Sequence, residues 1–103
     1  MLDTDIVYVE MPEGIEELVP AFLATQRAEA AGLGEMLSAG ELDGIRRFAH
    51  NLKGTGTAFG FPVLSEMGVR MERSAREANV ADLGGQIRDL RDYLERVQLR
   101  RRA

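Results

Sequence analysis

The feature that most constrains the fold is a set of apolar stripes with the spacing of an α-helix. Two stretches, at about 42–59 and 80–97, repeat apolar or small residues every three or four positions. This spacing places the repeated residues on one side of a helix. The stripe residues are Leu42, Ile45, Ala49, Leu52, Gly56 and Phe59 in the first stretch, and Val80, Leu83, Ile87, Leu90, Leu94 and Val97 in the second.

Three further helical segments are predicted, at about 13–31, 33–39 and 62–78. Pro20 falls inside the first segment. Because proline lacks a backbone N–H and its ring clashes with the preceding turn, we expect a kink or a break there, with Pro20 starting the longer piece. Gly40 is positioned to close the second segment, since glycine readily adopts the left-handed conformation that ends a helix.

Residues 1–12 are predicted to form an extended arm, and residues 13–103 the helical domain. The run from Ile6 to Val9 has strand propensity, but one short run cannot form a sheet by itself. Amphipathic helices joined by short connections pack against each other. The predicted fold is therefore all-α: an antiparallel four-helix bundle with a kinked or broken N-terminal helix and a short extra helix.

The composition excludes several classes of function. A chain of 103 residues makes one small domain, and the absence of cysteine excludes a disulfide scaffold and zinc bound by thiolates. The formal net charge of -4 and the pI near 5 argue against nucleic acid as a partner. The run from Arg100 to Arg102 is interpreted as cations placed favourably at a helix C-terminus.

The cellular location is predicted from the apolar runs and the N-terminus. No apolar run is long enough for a transmembrane helix, so no membrane is expected as a partner. The first residues, Met1-Leu2-Asp3-Thr4-Asp5, are acidic and lack the basic start of a signal peptide. The expected location is the cytoplasm.

The chain contains one histidine, His50, which lies beside the buried stripe of the third predicted helix. Lys53 at i+3 and Gly54 at i+4 share its face of the helix. An exposed imidazole beside a positive charge, with open space next to it, suits a nucleophile that attacks a phosphoryl group. An ordinary surface histidine with a solvated lysine is the alternative, and composition alone leaves both open. A glycine inside a helix costs about 1 kcal/mol relative to alanine, which favours a specific role for Gly54.

The motif around His50 continues in a pattern of glycine and apolar residues: Ala49-His50-Asn51-Leu52-Lys53-Gly54, Phe59-Gly60-Phe61-Pro62, Leu64, Met67-Gly68 and Met71-Glu72. This pattern resembles a histidine-containing phosphotransfer domain, and the resemblance runs from about residue 18 to residue 99. Such domains are helical bundles, in agreement with the periodicity. The sequence departs from the family at Glu41, where aspartate often follows glycine. That difference concerns the start of the helix and not the chemistry.

The resemblance implies that His50 accepts a phosphoryl group from the phosphoaspartate of a receiver domain and passes it to another receiver aspartate. Lys53 is then the neighbour of the phosphate, and Gly54 the clearing beside the imidazole. Glu72 occupies a position where the family often has Gln or Glu, which implies that it faces the histidine from the neighbouring helix. There its carboxylate can accept a hydrogen bond from Nδ1–H and leave Nε2 free. A surface ion pair between Glu72 and Arg76 is the alternative, and Arg76 either adds positive potential near the phosphate or is solvated.

The implied protein is a relay without turnover of its own and not an enzyme. Its implied partners are response-regulator receiver domains and a sensor or hybrid histidine kinase, and a monomer is expected. The chain offers no carboxylate cluster for Mg²⁺ and no phosphate-binding loop, so no cofactor is expected and the receiver should bring the metal. The predicted docking face consists of Arg46, His50, Lys53, Gly54 and Thr57.

Two rival functions conflict with the sequence. An autophosphorylating histidine kinase needs an ATP-binding domain, for which this chain is too short. A metal-binding bundle uses Glu-x-x-His pairs, and the residue three positions before His50 is Arg47. A bundle that binds a signalling partner without chemistry remains as the alternative, because a fold alone does not define a function.

Overall fold

The helices predicted from the apolar stripes are all present. A computed structural model describes residues 6–100 of the chain. Within this range the elements are β1 (Val7–Glu10), α1 (Val19–Ala30), α2 (Leu33–Ser38), α3 (Leu42–Ala58), α4 (Pro62–Arg76), α5 (Val80–Arg96) and β2 (Val97–Arg100). The predicted all-α bundle with a short extra helix is confirmed, and the antiparallel direction of its helices stays a prediction.

The core is built from the apolar sides of the long helices. The stripe predicted for α3 is buried at Ile45, Ala49, Leu52 and Gly56, and the stripe predicted for α5 is buried at Leu83, Ile87, Leu90 and Leu94. Phe22 of α1 stacks on Phe59 with ring centroids 4.3 Å apart, which joins α1 to the end of α3. Burial of the α3 stripe leaves the neighbouring position, His50, at the rim of the bundle.

The N-terminal helix is broken before Pro20, as the sequence predicts. Residues 13–18 form turns, and α1 begins at Val19 with Pro20 in its first turn. A proline costs little there, because the first N–H groups of a helix have no intrahelical acceptor. The part of the predicted helix before Val19 is therefore not helical.

Two glycines bring α3 and α4 into backbone contact. A Cβ added at Gly68 would lie 2.6 Å from the backbone N of Lys53 and 2.7 Å from the carbonyl O of Ala49. A Cβ at Gly56 would lie 2.6 Å from the backbone N of Ser65. Glycine at positions 56 and 68 thus permits this close packing. We call this contact, formed by residues 49, 53 and 56 of α3 with residues 65 and 68 of α4, the glycine seam.

A hydrogen-bonded pair closes one end of the glycine seam. The Thr57 backbone N–H and hydroxyl both donate to Ser65 Oγ, at 2.7 and 2.8 Å. Along the seam, later residues of α3 meet earlier residues of α4. Because His50 precedes Thr57 in α3, it lies opposite residues that follow Gly68 in α4.

A small sheet joins the two ends of the described chain. β1 and β2 pair in parallel, with Val7 opposite Val97 and Glu10 opposite Arg100. The run at Ile6 to Val9, predicted only as part of an extended arm, thus contributes to strand β1 at Val7–Glu10. Its partner comes from a segment that the stripe pattern assigned to the end of the last helix. The part of the predicted arm at residues 1–5 lies outside the described residues.

The last helix ends at Arg96 because the backbone turns extended at Val97, with φ -74° and ψ 135°. Arg27 of α1 holds this end: its Nε donates to the Leu94 carbonyl at 2.9 Å, and its Nη2 to the Val97 carbonyl at 3.2 Å. The placement of Arg100 at a helix C-terminus was therefore wrong, since this residue lies in β2. Arg101 and Arg102 lie outside the described residues.

On its other side, α4 contacts α5 more loosely. A groove of about 440 Å³ lies between the two helices. It is lined by Met67, Arg70, Met71, Ala81, Asp82, Gly85, Gln86 and Asp89. We call it the α4–α5 groove. Across residues 6–100, no helix has both the length and the apolar character needed to cross a membrane.

Candidate functional site

His50 lies at the midpoint of α3, which runs from Leu42 to Ala58. Its side chain is 57% exposed, while Ala49 beside it is fully buried. The offset of His50 from the buried stripe thus gives the exposure that the sequence predicts. Its role as the phosphoryl acceptor stays a prediction.

The hydrogen-bond partner of the imidazole is Glu72 of α4. His50 Nδ1 lies 2.8 Å from Glu72 Oε2, and the Glu72 side chain is only 4% exposed. The glycine seam explains how this acid reaches His50, because Gly68 brings α4 against α3 one helical turn before Glu72. The contact expected between Glu72 and Nδ1 is present.

Two cations share the same carboxylate. Lys53 Nζ lies 2.9 Å from Glu72 Oε1, and Arg76 Nη2 lies 3.0 Å from Oε2. The ion pair with Arg76, considered as an alternative to the imidazole contact, thus exists together with it. That alternative assumed a surface ion pair, but the Glu72 side chain is buried. Arg76 is paired with it even though the Arg76 side chain is 62% exposed.

The cationic partners keep Glu72 ionised. Hydrogen bonds from Lys53 and then His50, together with the charge of Arg76, lower the pKa of Glu72 from 4.5 to about 2, although desolvation acts in the opposite direction. An ionised carboxylate can only accept hydrogen bonds. Nδ1 of His50 must therefore carry a proton in this contact, and the neutral ring presents the lone pair of Nε2 on its other side.

Gly54 leaves space beside the imidazole. A Cβ added there would meet no atom within 4 Å, in contrast to the crowded positions of Gly56 and Gly68. Packing therefore does not require a glycine at position 54. Because residues four apart share a helix face, this space lies next to His50.

The predicted docking face carries more ion pairing than the sequence indicated. Arg46 Nη2 lies 2.9 Å from Asp43 Oδ1, and the hydrogen bond and charge of Arg46 lower the pKa of Asp43. Arg47 shares Asp43, and Arg73 pairs with Glu77 at 3.3 Å. Together with the pairs of Glu72, five cations meet three carboxylates, so these ion pairs remain positive in sum.

Sequence reasoning missed two residues on this side of the molecule. Ser65 links α4 to Thr57, and Val69 is an apolar side chain that remains 49% exposed. Val69 lines a groove with Lys53 and Arg76. The signal was available in the sequence, because Val69 lies next to Gly68 on α4 but outside the buried stripe.

The site has the parts for a nucleophilic imidazole. No group of three or more potential metal ligands occurs within residues 6–100. A carboxylate pairs with Nδ1, a lysine lies one turn along the helix and Gly54 leaves open space, so Nε2 is the ring nitrogen that does not contact Glu72. Such a set can position and charge-stabilise a phosphoryl group, which is what phosphoryl transfer requires of a protein.

A helical bundle with this site is suited to carry a phosphoryl group, and comparison identifies the family. Residues 17–99 match the family model of the Hpt domain. The chain therefore belongs to the Hpt domain family, which implies histidine phosphotransfer in a phosphorelay. No match to the chain was found among curated proteins or among solved structures. β1 lies before the matched range.

Proposed function

We propose that this protein is a phosphorelay intermediate in which His50 accepts a phosphoryl group from a receiver phosphoaspartate and passes it to the aspartate of another receiver. The observation that carries the proposal is the pairing of His50 Nδ1 with the ionised Glu72 carboxylate at 2.8 Å. This pairing leaves Nε2 with its lone pair on an exposed ring. Membership of the Hpt domain family supports the same reaction.

In the proposed transfer, the Nε2 lone pair attacks the phosphorus atom of the acyl phosphate. The N–P bond forms, the bond from phosphorus to the aspartate oxygen breaks, and the carboxylate leaves with that electron pair. The ring then carries a positive charge and keeps its proton on Nδ1. Glu72 offsets this charge, much as the buried aspartate of a serine-protease triad stabilises an imidazolium. Transfer onward is the same step in reverse.

Lys53 is proposed to stabilise the phosphoryl group, and Gly54 is proposed to give the receiver access to the imidazole. Lys53 follows His50 by three positions, and its ammonium group can offset the charge of the phosphoryl oxygens. Gly54 leaves room for the receiver to approach almost into contact. Arg46 and Thr57 are assigned to the docking face, whose positive charge complements the acidic active site of a receiver and aids encounter.

The proposed protein has no turnover of its own and no cofactor. The receiver is proposed to hold the Mg²⁺. A sensor or hybrid histidine kinase is proposed as the source of the phosphoryl group. A monomer in the cytoplasm remains the prediction from the sequence.

The test is transfer from a set of purified phosphorylated receivers, tried one at a time. Wild type should acquire phosphate that is labile in acid and stable in alkali. His50→Gln should acquire none while it still binds the receiver. Phosphate on His50→Gln would mean that another residue is the acceptor. A wild type that binds a receiver but never acquires phosphate would favour the non-catalytic interaction module.

A second variant tests the clearing. Gly54→Gln should abolish transfer, because a long side chain at i+4 covers the imidazole and obstructs the receiver. The helix should be retained and slightly favoured, since a helical glycine has been removed. Circular dichroism controls for folding. A wild-type transfer rate in this variant would show that the space at Gly54 has no function.

A further inference from the structure

Glu72 divides its partners unequally between its two oxygens. Oε1 contacts Lys53 at 2.9 Å, whereas Oε2 contacts both His50 Nδ1 at 2.8 Å and Arg76 Nη2 at 3.0 Å. An unpaired buried charge is costly, so a carboxylate as buried as this one needs a replacement for any partner that it loses. The arrangement therefore raises the question of which partner can leave when the site is phosphorylated.

Lys53 and Arg76 are attached to Glu72 in different ways. Arg76 follows Glu72 by four positions on α4, so this pair is local to one helix. Lys53 reaches Glu72 across the glycine seam from α3, on a flexible stem with a side chain that is 40% exposed. A lysine ammonium is a mobile point charge, whereas the planar fork of an arginine can bind both oxygens of one carboxylate. Lys53 is thus the partner that can leave, and Arg76 the one that can remain.

We propose that phosphorylation of His50 makes Glu72 exchange its counter-ion: Lys53 turns to the phosphoryl group, and Arg76 takes over both carboxylate oxygens. This inference rests on the proposed function. It makes Arg76 a positioning residue, which acts through Glu72 and Lys53 and not on the phosphoryl group. After the exchange, Lys53 faces the phosphoryl oxygens, Glu72 faces the cationic ring, and Arg76 keeps the carboxylate paired.

The exchange can be tested without a receiver by using phosphoramidate as the donor. The Nε2 lone pair attacks the phosphorus atom of the N-protonated donor, its P–N⁺ bond breaks, and ammonia leaves with that electron pair while Nδ1 keeps its proton. The measured quantity is the initial rate at which the full chain acquires phosphohistidine, followed by ³¹P NMR. The ¹⁵N shifts of the His50 ring in the unphosphorylated protein show whether the proton stays on Nδ1.

Arg76→Ala should lower the rate about two- to fivefold, the size expected from a partly exposed ion pair. Without Arg76, Lys53 stays on Glu72 and cannot serve the phosphoryl group. The double variant Lys53→Ala, Arg76→Ala should therefore be no slower than the slower of the two single variants. Arg76→Lys should restore part of the rate, and the ring proton should remain on Nδ1 in Arg76→Ala.

The matched control is Arg73→Ala. It removes the same charge from the same helix, but its partner is Glu77 and not Glu72. The control should keep the wild-type rate. If it slows the reaction as much as Arg76→Ala does, the effect of Arg76 is general electrostatics and the exchange is wrong.

The outcomes separate this inference from the proposed function. The exchange is overturned if Arg76→Ala reacts like wild type, or if the two single effects multiply in the double variant. Transfer from a receiver can still succeed in either case. If the coupling appears with phosphoramidate but no receiver transfers its phosphate, the relay fails and the exchange stands. A wild-type His50 that neither phosphoramidate nor any phosphorylated receiver phosphorylates would overturn both.

Discussion

The two sides of α4 differ in how closely they pack, although both contain glycine. At the glycine seam, a methyl group on Gly68 would lie 2.6 Å from the Lys53 backbone N, so α3 and α4 touch through their backbones. At the α4–α5 groove, a methyl group on Gly85 would meet no atom within 4 Å. The same residue type thus marks a required close approach on one side of α4 and open space on the other.

This difference explains why the functional site lies on the α3 side. Backbone contact at Gly68 fixes the distance between the helices, so that Glu72 one turn further reaches the imidazole at 2.8 Å. The α4–α5 groove imposes no such distance. There Gln86 donates to Ser74 Oγ at 3.0 Å, while its buried Oε1 has no hydrogen-bond partner among the described residues. Precise geometry is built where the packing is tight.

The largest expected effect comes from adding a methyl group inside the glycine seam. Gly68→Ala should lower the free energy of unfolding by about 3 kcal/mol, because its Cβ would collide with backbone atoms that cannot rotate away. Urea denaturation followed by circular dichroism gives the value. Phosphoryl transfer should also fall, since separated helices pull Glu72 from His50. A variant as stable as wild type would mean that the seam is not tight.

The next prediction concerns acid stability, which the seam should confer through Glu72. The pKa of this residue is about 2 in the folded protein, against an ordinary 4.5. A lowered pKa stabilises the folded state above about pH 4.5, and that stability is lost as the pH falls towards 2. Glu72→Gln should be less stable than wild type at pH 7, and the difference should shrink over this window. A difference that does not change between pH 5 and pH 2 would contradict the assignment.

A smaller effect is expected at the end of the seam. Ser65→Ala removes the acceptor of two hydrogen bonds from Thr57 and should cost about 1 kcal/mol of stability. Glu72 lies about two helical turns beyond Ser65 on α4, so acceptance of phosphate by His50 should persist. Chemical denaturation and the phosphohistidine assay, run on the same preparation, measure both. Loss of phosphate acceptance in a stable variant would show that Ser65 has a direct role.

The smallest effect has the opposite sign and lies in the α4–α5 groove. Gly85→Ala should raise the free energy of unfolding by up to about 1 kcal/mol, because alanine favours the helix and the methyl group meets only open space. This variant is the matched control for Gly68→Ala, since both place one methyl group inside a helix. If Gly85→Ala were destabilised as strongly as Gly68→Ala, the comparison between the two sides of α4 would be wrong.

The sequence predicts the helices and the central residue of the site because both depend on local spacing. The stripe on α3 is enough to place His50 at the rim, and Gly54 follows from its distance of four positions. The site's second half depends on tertiary structure. The contacts of Glu72 with His50 and Arg76 were considered from the sequence, as alternatives. Only the fold shows that they coexist, that Lys53 is a third partner and that this acid is buried.

The sheet was missed for a related physical reason. Val97 satisfies the helical stripe of α5 and is equally suited to a strand, so periodicity alone cannot decide between them. Contacts with residues distant in sequence favour the strand. Arg27 donates hydrogen bonds to the carbonyls at the end of α5, and Val7 lies opposite Val97 in the sheet. The roles of Gly84 and Gly85 could not be predicted either, and the structure gives no packing requirement for Gly85.

The pairing of β1 with β2 has a consequence for the order in which the chain folds. Strands that begin at Val7 and Val97 close a loop that contains nearly the whole domain, whereas neighbouring helices close short ones. Loop closure costs more entropy as the loop grows, and non-local contacts slow folding. We therefore expect the bundle to assemble first and the sheet to close last. Amide protons of β1 should then be the first to exchange when the native protein opens locally.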